Sequence, residues 1–446
     1  MRARQERESG AGSGRVVAAI GVAVRPCTQP LQYVKICSLY GAGFYYIPGT
    51  DTCLKIGGFV RAEMDFYANG SFYAYGSTNF DSPATNVENT RIRYGITADA
   101  RSQTAYGTLR SFVYIAPTNN NGAGGGYNAV YSPVGFIQWA GFTFGVTDSF
   151  FNFDGQGYTN GTPFVGSASG GRGMPTFAYT AQFGNGLSAT MSVEDWNGPS
   201  AASAGTVVNG GTQWPDLVGN LRVDQAWGSA QIMGALHNVH TFVPATAGTE
   251  SNKMGYAVGA GLKFNLPMLG HGDYVIGEFA YAKGATEYIL SNINNAGAST
   301  PLAMLSGWPV RNSTAFGQAF DAVGTTAAGS VDLTTGWHIT AGYEHHWDPM
   351  WKTSLYGSYA QINYSTNASN TLAAATFGLP AGSNADYDIW QVGSRTVWTP
   401  VHNLDFSVDL VYSGLGTAYN GLATPGTGTF SDKGFLAGIF RVQRNF

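Results

Sequence analysis

The sequence predicts an all-β protein: a transmembrane antiparallel β-barrel, most simply of sixteen strands, with short periplasmic turns and long extracellular loops. Three observations favour this class. Apolar and polar residues alternate with a period of two over long stretches, tight turns recur between those stretches, and long polar segments separate the hairpins. Barrels of outer membranes combine these features, because their exterior meets lipid while their interior is polar.

The composition excludes several other classes. Charged residues make up 11% of the 446 residues, and glycine accounts for 62 of them, which argues against a Lys/Glu-rich helical enzyme or a coiled coil. The formal net charge is −4 and no basic block is present, so we expect no nucleic-acid partner. No stretch approaches the ~18 apolar residues of a spanning helix. A mean hydropathy of −0.08 is compatible with alternating strands.

The first strand is predicted at 54–67, where the alternation is clearest. Even positions from Leu54 to Phe66 are apolar or glycine, whereas odd positions include Arg61, Glu63 and Asp65. Consecutive side chains of a strand point to opposite faces, so one face is apolar and the other ionic. The alternation outlasts an ordinary strand of about 5–6 residues and suits the about 9–11 that cross a bilayer.

The same pattern returns at 91–101 and at 404–412. In both stretches most odd positions are polar or charged, among them Arg91, Arg93 and Asp409, whereas the even positions are apolar. No window shows a convincing helical period, so we expect strands throughout.

Short turns and long loops give the strand number. Short turns are predicted near 101–103, 140–141, 184–186, 227–229, 270–272, 347–349 and 399–401, and long polar stretches lie at 116–133, 149–175, 195–219, 239–255, 285–335 and 364–386. Seven hairpins, a first strand and a last strand at 433–446 make sixteen; a hairpin hidden in 285–335 would make eighteen. The terminal Phe446 fits closure by the last strand, and Trp347, Trp351 and Trp398 fit an interfacial aromatic girdle beside the turns.

The N-terminal region divides at residue 32. Residues 1–32 are interpreted as an atypical or degraded export signal, because arginines and a short apolar run lack a clean cleavage site. Residues 33–53 would form a periplasmic segment before the barrel at 54–446. Cys37 and Cys53 can close a short loop in an oxidising compartment, or stay inert in the cytosol.

Several segments resemble the general porins of Rhizobiales and related alphaproteobacteria. They are residues 33–63, with the cysteine pair and the runs GAGFY (41–45) and PGTD (48–51), together with ARSQTAYGTLRSF (100–112), GFIQWAGFTFGVTDSFF (135–151), FGNGLSATMS (183–192) and FRVQRNF (440–446). The resemblance implies a sixteen-stranded homotrimeric barrel, in contact with outer-membrane lipid and lipopolysaccharide, through which small hydrophilic solutes and ions diffuse. It implies no cofactor, and it leads us to expect a Cys37–Cys53 disulfide.

In such porins a long loop, usually the third, folds into the lumen, and here that loop would be 149–175. Lumen charges are then expected from the loop and the facing wall: Asp154, Arg172, Arg61, Arg91, Arg93 and Arg110. The arginines can set ion selectivity or brace the barrel against Glu63, Asp65 and Asp99. Asp154 can instead be a solvated loop carboxylate, and the sign of selectivity stays open.

Other motifs give no site. Gly122–Gly126 lacks the Gly-Lys-Ser/Thr end of a phosphate loop. His237 with His240, and His345 with His346, have no Cys or carboxylate cluster beside them in sequence, so no metal site is predicted. Nothing singles out a nucleophile, and no catalytic residue is expected.

Two alternatives to a general diffusion channel remain. One is a substrate-selective, for example sugar-selective, channel with an aromatic path along Tyr106, Tyr127, Tyr131 and Tyr158. The other is a soluble all-β binding protein or adhesin, in which the apolar face of each strand would be buried between two sheets.

Overall fold

The computed structural model describes residues 35–67, 71–72, 78–79, 88–120, 129–161, 165, 173–195, 208–242, 250–290, 313–314, 317, 319–324, 331–423 and 428–446. The chain divides into a short unit, Met1–Lys35, and a second unit, Ile36–Phe446.

The second unit contains a closed barrel of sixteen strands. They are β1 (Cys53–Tyr67), β2 (Glu88–Thr104), β3 (Gly107–Asn120), β4 (Ala129–Trp139), β5 (Phe142–Thr147), β6 (Met174–Gly184), β7 (Leu187–Glu194), β8 (Asp216–Gln225), β9 (Gly228–Phe242), β10 (Glu250–Asn265), β11 (Tyr274–Lys283), β12 (Thr335–His346), β13 (Trp351–Asn363), β14 (Tyr387–Val401), β15 (Leu404–Gly416) and β16 (Lys433–Asn445). Each strand pairs antiparallel with the next, and β16 pairs with β1. The predicted fold class and strand number are confirmed.

The ring closes where the last residues meet the first strand. The backbone N–H groups of Gly58 and Phe446 each donate to the carbonyl oxygen of the other, at 3.0 Å. A Cβ atom at Gly58 would lie 2.2 Å from the Gly95 carbonyl oxygen and 2.7 Å from the Phe446 ring. Glycine is therefore required at this seam, where two neighbouring strands approach from opposite sides.

The barrel is apolar outside and polar inside. Ile96 is 55% exposed on the outer face, and the large apolar side chains of Val60 and Phe66 on β1 and of Ile92 and Tyr94 on β2 are exposed as well. Glu63, Arg91 and Arg93, of the opposite parity, are buried inside. The period-two prediction is confirmed, and the exposed apolar face contradicts the soluble alternative, which would have to bury it.

Two of the predicted turns are displaced. The first turn lies at Ala105 and Tyr106 rather than at 101–103. Strand β2 continues through these predicted turn residues, and within it Arg101 donates a hydrogen bond to Asp99. The last turn lies at residues 402–403 rather than at 399–401, and Asn403 adopts a φ of 65°. Residues 399–400 instead form an irregularity in β14, because proline has no N–H to donate to the neighbouring strand.

The three tryptophans of the predicted aromatic girdle lie at the short-turn end of the barrel. Trp347 is exposed there, and the stacked rings of Trp351 and Trp398 lie 5.7 Å apart.

The long loops contain elements that the sequence did not predict. A helix, α1 (Thr366–Phe377), begins at Ser365, whose hydroxyl accepts the Ala368 N–H, and ends at Gly378 with a φ of 64°. The expectation of strands throughout is therefore wrong for this loop. The hairpin suspected in 285–335 exists as Ala322–Gly324 paired with Val331–Leu333, but it does not join the barrel. None of the described helices is long and apolar enough to cross a membrane.

The segment before β1 is a small covalently closed unit. Cys37 and Cys53 form the predicted disulfide, with Cα atoms 5.9 Å apart. Both cysteines are buried with Phe44, and Tyr45–Tyr46 pairs with the start of β1.

Candidate pore constriction

After β5 the chain turns into the barrel, and residues 150–160, termed here the inner segment, run along its inner wall. The first contacts come from β7 to β9. The Phe150 N–H donates to Glu194 Oε1 at 2.9 Å, and the Asn220 amide donates to the Phe150 carbonyl at 2.6 Å. Gln231 donates to the Phe151 carbonyl at 3.3 Å. All three wall side chains belong to the inward parity of their strands, which fixes the start of the inner segment inside the barrel.

The middle of the inner segment rests on β10 and β11. The N–H groups of Phe153 and Asp154 both donate to Glu278 Oε2, each at 2.9 Å. A Cβ atom at Gly261 of β10 would lie 2.1 Å from the Phe153 ring, so only glycine lets the segment approach this closely.

The far end of the inner segment is held by β14 to β16. Asp409 Oδ2 accepts the Thr159 hydroxyl at 2.8 Å and the Asn160 N–H at 2.5 Å. Arg395 donates to the Thr159 carbonyl at 3.1 Å, and Arg441 donates to the Asn160 side-chain oxygen at 3.1 Å. The inner segment therefore follows the wall from β7 to β16.

Asp154 is held firmly within the inner segment. Its carboxylate accepts the Tyr158 hydroxyl at 2.6 Å and the Gln156 N–H at 2.8 Å. Burial raises the pKa of Asp154, and nearby Glu278 raises it further, whereas these hydrogen bonds offset the increase only in part. Asp154 is thus a fixed carboxylate rather than a freely solvated one. Arg172, the predicted base of the same loop, lies outside the described residues.

The first group of predicted arginines surrounds one carboxylate. Arg91 and Arg441 both donate to Glu63, and Arg61 Nη1 lies 3.9 Å from Glu63 Oε1. Glu63 and Arg91 are buried. Three guanidinium groups share a single glutamate, so this part of the wall carries more positive than negative charge.

A second group repeats the arrangement on β2 and β3. Arg110 and Arg101 bind Asp99 at 3.0 Å and 2.7 Å, respectively. Arg93 donates to the Thr118 hydroxyl at 2.9 Å. Arg91 and Arg110 therefore have the acidic partners that the bracing interpretation requires, while the surplus of arginines leaves charge that can act on passing ions.

Sequence reasoning missed the residues that hold the inner segment. Arg395 and Arg441 occupy positions of β14 and β16 whose side chains point into the barrel. The alternation of these strands could have identified them as inward-facing residues. It did not reveal which inward residues touch the loop. The alternation in β15 predicts that Asp409 points inward, but it does not predict that Asp409 accepts hydrogen bonds from Thr159 and Asn160.

Two carboxylates lie beside His237, one of the histidines for which the sequence showed no carboxylate neighbours. His237 Nδ1 lies 2.7 Å from Asp216 Oδ1 and 3.3 Å from Glu287 Oε1. These carboxylates are distant in sequence and are brought together by the barrel and its loop. The histidine therefore has the carboxylate neighbours that sequence spacing did not show.

The suggested aromatic path loses one of its members. Tyr106 lies at a short turn, 72% exposed, with its ring 5.5 Å from Trp139. Tyr158 is buried and bonded to Asp154, whereas Tyr127 lies outside the described residues and nothing is described of the Tyr131 side chain. Tyr106 at the barrel rim is not near the constriction, and the prediction that it lies there is wrong.

A closed barrel of sixteen strands with an inward loop and an apolar exterior defines a β-barrel protein of the outer-membrane type. The chain belongs to the porin subfamily, whose family model matches residues 22–439. This membership assigns it to the outer membrane of a Gram-negative cell.

Known proteins similar to the chain agree with this class. Porin Omp2b of Brucella suis biovar 1 (strain 1330) is 30% identical over 232 residues, which cover 49% of this chain and 60% of that protein. Porin Omp2b of Brucella canis shows the same identity and coverage over 236 residues. The match thus spans less than two thirds of these relatives. The outer membrane channel DcaP of Acinetobacter baumannii shares the fold, with a TM-score of 0.63 at 14% identity, covering 90% of this chain and 99% of that one.

Proposed function

We propose that the chain forms a water-filled channel for passive diffusion of small hydrophilic solutes and ions across the outer membrane. The observation that carries the proposal is the course of the inner segment, which is bonded to the inner wall from β7 to β16. A loop fixed in this way narrows a lumen without plugging it, because the charged wall of β1 to β6 stays opposite.

The constriction on this proposal has two unlike sides. Asp154 contributes acidity on the inner segment, and Arg172 lies further along the same loop. Arg61, Arg91, Arg93 and Arg110 contribute positive charge on the facing wall. Opposed charges across a lumen orient and select hydrated ions, while bulk solutes are sorted by size.

The proposal extends to the assembly and its orientation. Residues 33–53 and the short turns face the periplasm, and the long loops face outward, as in other barrels of this kind. Residues 1–32 act as an atypical export signal. The working unit is a homotrimer whose outer faces meet lipid and lipopolysaccharide.

Planar-bilayer recording of the refolded protein tests the proposal. We expect stable conductance steps, and a reversal potential under a salt gradient gives the preferred ion sign. Liposome swelling with neutral sugars of increasing size should show rates that fall smoothly with solute radius. Folded, heat-modifiable protein without conductance would refute an open channel, and saturable flux that one sugar blocks would identify a substrate-selective channel instead.

A further inference from the structure

Four ionisable side chains form a buried cluster at the long-loop end of the barrel. Asp216 begins β8, His237 lies on the adjacent strand β9, Glu287 follows β11 in the turn Thr286–Tyr288, and Asp321 lies in the loop before β12. All four are at least nine-tenths buried. Burying three carboxylates beside one imidazole is costly unless a cation or shared protons compensate the charge.

Three members of the cluster face a common point. One donor atom from each of Asp216, His237 and Glu287 lies within 4.8 Å of the others. Ligands bound to one divalent ion at about 2.0–2.4 Å are separated by no more than about 4.8 Å. The three side chains therefore have the spacing of ligands around one ion.

Glu287 supplies an observation independent of that spacing. It is 2% exposed, and neither carboxylate oxygen accepts a hydrogen bond in the described part of the chain. Within the same part, its one partner at ion-pair distance is His237. A buried carboxylate whose oxygens accept no hydrogen bond in the described residues, and which lies beside a histidine and an aspartate, is a group whose charge a bound cation would compensate.

A further carboxylate lies on the other side of the imidazole, at ion-pair distance but beyond hydrogen-bond distance. His237 Nε2, on the far side of the ring, faces Asp321 Oδ2 at 3.6 Å. Asp321 is itself fixed, since Oδ1 accepts both the N–H and the hydroxyl of Thr286, at 2.6 and 2.8 Å. The Tyr288 hydroxyl donates to Asp216 Oδ2 at 2.6 Å. Carboxylates and hydroxyls in these positions orient the ligands of a metal ion.

We propose that Asp216, His237 and Glu287 bind one divalent first-row transition-metal ion, and that Asp321 is a positioning residue for His237. An imidazole nitrogen among the donors disfavours Mg²⁺ and Ca²⁺, which take oxygen ligands, and suits Zn²⁺. The site does not depend on the channel function proposed above, because it is defined by the barrel wall and one loop turn.

The ion would fasten the turn Thr286–Tyr288 to β8 and β9. The Tyr288 ring also contacts Phe151 of the inner segment, with centroids 4.6 Å apart. The metal, the loop turn and the start of the constriction are thus linked through one tyrosine.

Isothermal titration of chelator-stripped, refolded protein in detergent with Zn²⁺ tests the site. We expect one ion per chain, with Zn²⁺ raising the thermal midpoint. Asp216→Asn and Glu287→Gln should weaken binding by more than tenfold, and Asp321→Asn by about 10–100-fold, as for other residues that orient a ligand. Asp224→Asn is the matched control: it removes the same charge from β8 at a half-exposed pair with Arg222, and it should leave binding unchanged.

Two results would overturn the proposal. The first is wild-type binding no tighter than that of Glu287→Gln, which would assign the Zn²⁺ to other histidines. The second is the absence both of a one-to-one isotherm and of a thermal shift in the wild type. The cluster would then be held together by shared protons. The second result is measured on the wild-type chain alone, so it can be obtained even if a variant fails to fold.

Discussion

Asp154 shows how the surroundings of one residue set its charge in the pore. Because the pKa of this carboxyl is raised from its ordinary value of 3.8, it is neutral below the raised value and ionised above it. We expect cation preference to fall as the pH is lowered through a range above 3.8. Asp154→Asn should reduce cation preference at neutral pH and remove this pH dependence. The reversal potential under a tenfold salt gradient measures both.

The control for Asp154 is Asp405→Asn, which removes one acid near the last short turn that accepts the Thr399 hydroxyl. It should leave the reversal potential close to that of the wild type. Equal shifts in the two variants would mean that only total charge matters, and that Asp154 holds no special position.

Glu63 is the residue on which the first arginine group depends. Replacing it by glutamine leaves Arg91, Arg441 and Arg61 around a neutral side chain in a mostly buried site. Breaking a buried ion pair on one side costs about 3–5 kcal/mol. Denaturant unfolding in detergent should show a loss of this size for Glu63→Gln, with a shift towards anion preference.

Glu88→Gln, an exposed position on β2, is the comparison for Glu63, and we expect a change within about 0.5 kcal/mol. Unaltered stability of Glu63→Gln would mean that lumen water already screens the arginines.

At the scale of elements, the disulfide isolates one piece of the fold. It joins residues 16 apart, and on the chain-entropy model it contributes about 3 kcal/mol. A double Cys37→Ser/Cys53→Ser variant should lose protease resistance before β1 while the barrel keeps its heat-modifiable migration. Timed proteolysis with mass spectrometry locates the cuts. Equal resistance of the double variant would show that packing around Phe44 suffices.

The inner segment gives a second prediction at this scale. Asp409 accepts hydrogen bonds from Thr159, Asn160 and Tyr356. Hydrogen bonds to a charged group contribute about 1.5–3 kcal/mol each, and Asp409→Asn weakens all three. We expect larger single-channel conductance with flicker between levels. Asp405→Asn, on the same strand, is the control, because it removes the same charge from a residue bonded to Thr399. An Asp409→Asn channel with wild-type conductance and no flicker would contradict the anchoring role.

The elements also show what a sequence can predict. Period-two alternation depends only on which face meets lipid, so β1 and β16 were predicted within one residue of each end. Helix α1 escaped because its small residues give no strong apolar face. The contacts of Asp409 and the cluster at His237 join positions distant in sequence, and alternation within one strand contains no information about which loop crosses it.

At the scale of the whole molecule, the barrel wall is uneven in height. β5 has six residues and β7 has eight, whereas a tilted strand needs about 9–11 to cross the hydrocarbon layer. Aromatic side chains crowd the outer face there: Phe142 lies 4.9 Å from Tyr179, and Phe144 lies 5.8 Å from Phe177, between ring centroids. A low, aromatic wall is better covered by protein than by lipid, so we expect the homotrimer to form around β5 to β7.

Two outward arginine substitutions separate this interface from the lipid face. Phe177 and Leu355 are 63% and 60% exposed, on β6 and β13. Arginine on a lipid face destabilises a barrel by up to about 2–4 kcal/mol, so both variants carry a similar penalty as monomers. Only Phe177→Arg should dissociate the trimer in unheated gels and in native mass spectrometry. In bilayer recordings, this variant should no longer show the closure of a trimer in three equal conductance steps. If Leu355→Arg alone dissociated the trimer, the interface would lie on the opposite wall of the barrel. The short strands would then face lipid, and the bilayer would be locally thinner beside them.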